Sequence, residues 1–65
     1  METQILDRVN QKLVDRQNEI VELVSDGGCK SFEHYKELCG FIRGLRTAQL
    51  EIGDLVRKLK ANDDD

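Results

Sequence analysis

The stretch Ser25-Asp26-Gly27-Gly28-Cys29-Lys30-Ser31 separates two long helix-periodic segments, and the fold follows from that interruption. Paired glycines are the strongest helix breaker in the chain. Glycine enters positive φ after a helix end without steric penalty, and Ser31 can cap a following helix through its side-chain oxygen. A connection spanning 26–31 leaves the flanking helices antiparallel, so the reading is an all-α chain: a two-helix hairpin over residues 1–62.

Working outward, residues 3–25 carry apolar side chains at Leu6, Val9, Leu13, Ile20 and Leu23, flanked by Ile5, Val14, Val21 and Val24. This is a coiled-coil-like heptad with one gap, where Arg16 stands, followed by Gln17 and Asn18. Arg16 is either a buried register-setting group or a side chain whose stem lies along the seam with its charge in water; the second is expected. Residues 32–60 place Tyr35, Leu38, Ile42, Leu45, Gln49, Ile52, Val56 and Leu59 at alternating spacings of three and four, the seam of an antiparallel pair. At about 1.5 Å per residue the helices span roughly 35 and 43 Å, so the second should project past the first. Asn62 and the acidic tail 63–65 are expected to be frayed and disordered. That tail serves solubility or, alternatively, acts as an acidic contact arm.

Composition supports this reading. The 65 residues are 38% hydrophobic, 35% charged and 5% aromatic, without proline or tryptophan, which suits helical hairpins better than sandwiches or barrels. A chain this short buries only about 60% of its unfolded surface, leaving little room for a catalytic cleft beside a core. No enzyme is expected. The only candidate nucleophile set, His34 with Cys29 or Cys39, has no third group to orient it. Two cysteines and one histidine do not make a disulfide framework or a zinc pattern, so no metal or cofactor is expected. Cys39 reads as a small hydrophobe and Cys29 as a loop thiol.

Thirteen acidic residues against ten basic give a net charge of −3, which Asp63, Asp64 and Asp65 account for in full. A near-neutral body lacks the basic surplus that phosphate neutralisation requires, so nucleic acid is not an expected partner, although Arg43, Arg46, Arg57 and Lys58 are the residues that could contact it. Glycine aside, no apolar run exceeds two residues. A membrane span or secretory signal is not expected, nor is a small-molecule substrate.

Gly40, Gly44 and Gly53 fall inside the second helix, each at a cost of about 1 kcal/mol relative to alanine. Gly40, Gly44 and Ala48 succeed one another at i, i+4 and i+8, a strip of small residues that another backbone can approach closely. At about 100° per residue, Gly40 and Gly44 lie well away from the Leu38–Ile42–Leu45 seam, on a second face edged by Phe41. The expected protein interface is therefore Gly40, Phe41, Gly44 and Ala48, with Phe32 and Tyr35 as aromatic anchors near the loop. Leu50, Val14 and Val21 add apolar surface that a lone hairpin cannot cover. A small scaffold without disulfides or metal relies on self-association or a host surface, so the hairpin should be completed as a four-helix bundle or by docking on a larger assembly.

The segment Tyr35–Ile52, with Tyr35, Gly40, Ile42, Gly44, Leu45 and Ala48 after the Asp26-Gly27-Gly28 turn, resembles small helical proteins of tailed, podovirus-like bacteriophages. The resemblance covers about half the chain. It implies a virion or assembly component of the head and connector region, located in the virion or host cytoplasm, whose partners are copies of itself or larger phage structural proteins. It implies no enzymatic activity and carries no binding residue over. In architecture alone the chain is also similar to the short repressor-of-primer hairpins that dimerise and bind RNA. The alternative function is accordingly a dimeric bundle that binds RNA or DNA or inhibits a host protein.

Overall fold

The computed structural model describes residues 2–63, which form two helices, α1 (Glu2–Ser25) and α2 (Phe32–Asp63), packed against each other as a hairpin; there is no strand among them. The molecule measures 52 × 15 × 12 Å. Helix α2 continues through Asp63 rather than ending at Lys60, because Ala61, Asn62 and Asp63 include no glycine or proline to stop it. The expected disordered tail is thus helical at Asp63, and Asp64 and Asp65 lie outside the described residues. No helix among the described residues is long and apolar enough to cross a membrane.

The turn uses each residue the sequence offers. Gly27 has φ +76°, the left-handed conformation that favours glycine. Its N–H donates to the Val24 carbonyl at 3.2 Å, and the Gly28 N–H donates to the Leu23 carbonyl at 2.8 Å, the paired bonds of a Schellman C-cap. A Cβ on Gly28 would stand 2.9 Å from the Leu23 carbonyl oxygen and closer still to its side chain, so no larger residue fits. Ser31 then caps α2. Its Oγ accepts from the His34 N–H at 3.0 Å, while His34 Nδ1 accepts from the Lys30 N–H at 3.2 Å. This reciprocal arrangement places His34 where a capping box would use Glu or Gln.

On α2 the seam lies where its spacing predicts. Leu38 and Val56 are buried, and Ile42, Leu45, Gln49, Ile52 and Leu59 are half-buried. Tyr35 departs from that pattern at 43% exposed. The pair Gln17–Gln49, with Gln49 Nε2 donating to Gln17 Oε1 at 2.6 Å, sets the register. Counted from it at equal rise, Ser25 stands level with Phe41, so Tyr35 lies beyond the end of α1 and has no α1 residue level with it. The overhang of α2 is therefore at the loop end.

On α1 the inward line is Thr3, Leu6, Asn10, Leu13, Gln17, Ile20 and Val24, all half-buried. Val9 at 42% and Leu23 at 41% are exposed flanks, not seam positions. The side chain of Arg16 is 69% exposed, 3.7 Å from Glu19, and lines the groove beside Ile20, Leu38 and Leu45, so its charge is in water and it is not a buried register-setting group. The polar seam positions are Asn10 and Gln17. Gln17 meets Gln49 across the interface, whereas Asn10 Oδ1 is buried without a hydrogen-bond partner. An unpartnered buried acceptor costs about 1–3 kcal/mol.

Candidate functional site

Among the described residues only Leu38 and Val56 are buried, while Ile5, Phe32, Phe41 and Leu50 are 62–72% exposed. A two-helix layer has one seam and two flanks, and nine of this chain's large apolar side chains stay exposed outside the seam. With Leu38, Ile42 and Leu45 facing α1, heptad geometry assigns Phe41, Ala48 and Leu55 to one flank of α2. Val9, Arg16 and Leu23 form the matching flank of α1.

Phe41 is the centre of that side. At 62% exposed, it stands between two shallow grooves. One, of about 640 Å³, is lined by Glu37, Gly40, Phe41, Gly44 and Leu45. The other, of about 400 Å³, is lined by Arg16, Ile20, Leu38, Phe41 and Leu45 and runs between the helices. The first groove exists because positions 40 and 44 have no side chains: a Cβ on either would meet no atom within 4 Å. Gly40 and Gly44 are exposed, and Ala48 is half-buried at the edge of the seam. The small-residue strip therefore slants from the outer face toward α1, and its open part is Gly40 and Gly44.

Phe32, 72% exposed, and Tyr35 stack on each other with ring centroids 6.3 Å apart, and Lys36 Nζ lies 5.6 Å from the Phe32 centroid. They form a separate aromatic knob on the loop-end overhang. Cys29 and Cys39 are free and half-buried. The Cys39 thiol, one turn along from Tyr35, raises its phenol above the usual tyrosine value of 10.0, first through a hydrogen bond and then through charge repulsion.

Three of the four basic candidates share one flank, and the fourth does not. Arg43, Arg46 and Arg57 fall on the flank of α2 opposite Phe41, with Lys36 and Lys60, while Lys58 falls on the Phe41 side. All are exposed, and Arg57 is paired with Asp54. No group of three or more metal-ligating side chains occurs among the described residues. The positions that sequence reasoning missed are Val9, Leu23 and Leu55. The first two were assigned to the seam, and Leu55, at 46% exposed, had no visible partner in the periodicity.

Comparison of the chain with protein families, with curated proteins and with solved structures finds no match.

Proposed function

We propose that this chain is a non-enzymatic protein–protein interaction module, a small structural or assembly component of a tailed-phage particle whose working surface is the Phe41 side of the hairpin. The observation that carries the interaction reading is Phe41 itself: a large aromatic side chain, 62% exposed, between two largely apolar grooves, one of them opened by Gly40 and Gly44. Exposed aromatics in a setting of small residues are what buried interface anchors look like before their partner arrives. The phage assignment rests on the resemblance of Tyr35–Ile52 alone.

The test measures mass by light scattering and helicity by circular dichroism together, over a range of concentrations. The reading expects either self-association, lost in Gly44→Leu with helicity retained, or a weakly helical monomer waiting for a host surface. A fully helical monomer that unfolds cooperatively, with Phe41→Ser and Gly44→Leu behaving as the parent does, overturns it. Binding of duplex RNA or DNA that weakens steeply with salt and disappears on replacing Arg43 and Arg46 with alanine would favour the regulatory alternative.

A further inference from the structure

The accessible surface is 5381 Å² for a 7.5 kDa chain, whereas a compact monomer of that mass exposes about 4,250 Å². The excess, about 1,100 Å², exceeds the roughly 800 Å² that each partner contributes to a stable protein–protein interface. One standard interface would thus return this chain to ordinary compactness. Resting on the interaction reading above, we infer that the occupant of the Phe41 side is a second copy of this chain, stacked flank to flank with both turns at the same end.

Charge selects that orientation. On the Phe41 side, α1 presents Lys12, Arg16 and Glu19, and α2 presents Glu37, Glu51 and Lys58; all six are exposed. A two-fold axis running along the helices lays α1 of one copy on α2 of the other at unchanged level. In the register set by Gln17–Gln49, the level of Glu51 then falls between those of Lys12 and Arg16 of the second copy, joining opposite charges. The reverse orientation, with the axis across the middle of the hairpin, lays each helix on its own copy. With that axis at the middle of the paired region, level with Val14 and Ile52, Lys12 meets Arg16 and Glu51 lies beside its own equivalent, which repels.

Packing agrees with the charges. In the same-end arrangement Leu23 of the second copy stands level with Arg43, over the groove between Phe41 and Gly44, and Val9 stands level with Arg57, beside Leu55. The bare backbone at Gly44 is what lets the second α1 approach. The result is a four-helix bundle in which every neighbouring pair is antiparallel.

The experiment uses the full chain with Cys29→Ser and Cys39→Ser, carrying either Lys30→Cys at the turn or Gln4→Cys at the far end. Each is treated with a bismaleimide of about 10 Å span, alone and as an equimolar mixture, with helicity checked first. In the reverse arrangement the two turns are separated by roughly the length of α1, about 36 Å, beyond the reagent's reach. The expected result is a covalent dimer from Lys30→Cys alone and no turn-to-end product in the mixture. A turn-to-end product without a turn-to-turn one overturns the inference while leaving the interaction reading standing. So does a weakly helical monomer at every concentration. A fully helical, cooperatively unfolding monomer defeats both. A charge swap supplies a second readout. Lys12→Glu with Arg16→Glu should weaken dimerisation about tenfold, and adding Glu51→Lys should restore it; failure of that rescue overturns the orientation.

Discussion

The two ends of the hairpin's structural logic differ sharply between the turn and the helical body. At the turn, Gly27 adopts the positive φ its position requires, Gly28 leaves the only space available beside Leu23, Ser31 Oγ accepts the His34 N–H in the first turn of α2, and His34 Nδ1 accepts the Lys30 N–H ahead of it. In the body, Gly40, Gly44 and Gly53 occupy sites where a methyl group would meet nothing, and Asn10 buries an oxygen without a donor. The turn is complete within one chain. The body contains costs that nothing in the single hairpin offsets, and two of them, at Gly40 and Gly44, fall on the face proposed above as the interface.

Four substitutions break or sharpen this contrast. The largest effect is expected from Gly28→Ala, where the new Cβ meets backbone oxygen; we predict a loss of about 2 kcal/mol or more in denaturant unfolding, and an unchanged midpoint would refute the fixed turn. Asn10→Leu should act in the opposite direction, raising stability by about 1–2 kcal/mol as the orphaned acceptor is removed. A loss there would mean that Asn10 has a partner after all. Ser31→Ala should cost about 1 kcal/mol, read as lower helicity and an earlier melt, because the cap on His34 N–H disappears. Gly40→Ala should gain about 0.5–1 kcal/mol of helix stability, the mirror image of Gly28→Ala at a site with open space. If both glycine substitutions destabilised equally, the distinction between turn and body would fail.

The seam of α2 was legible because Leu38, Ile42, Leu45, Ile52, Val56 and Leu59 form a single apolar line, with polar neighbours over most of its length. The seam of α1 was not, for a definite reason. Leu6, Leu13 and Ile20 belong to the seam in either register, but the alternate positions offer a choice between the apolar Val9 and Leu23 and the polar Asn10 and Gln17. Periodicity favours the apolar set. The structure takes the other, in which Gln17 meets Gln49 and Arg16 stays in water. Both polar defects are visible in the sequence, Gln49 in the α2 seam and Gln17 on α1, but a turn closing the helices at equal levels would set Gln17 beside Gly40, so their meeting depends on the overhang of α2 at the loop end. Two polar defects that face each other are easier to accept than either alone. At the candidate site, the open faces of Gly40 and Gly44 followed from helical geometry, but the exposure of Val9 and Leu23 beside them depended on the α1 register and could not be read before it.

The locally determined turn also fixes the order in which the molecule comes together. Because Gly27, Gly28 and Ser31 define the reversal through contacts only a few residues apart, the inter-helix layers nearest the turn are expected to close first, with pairing spreading outward past Gln17–Gln49 to the chain ends. Opening runs in reverse. Amides around Ile20 and Leu45 should exchange with solvent more slowly than those near Leu6 and Leu59, so the turn is the hinge from which this protein both assembles and comes apart.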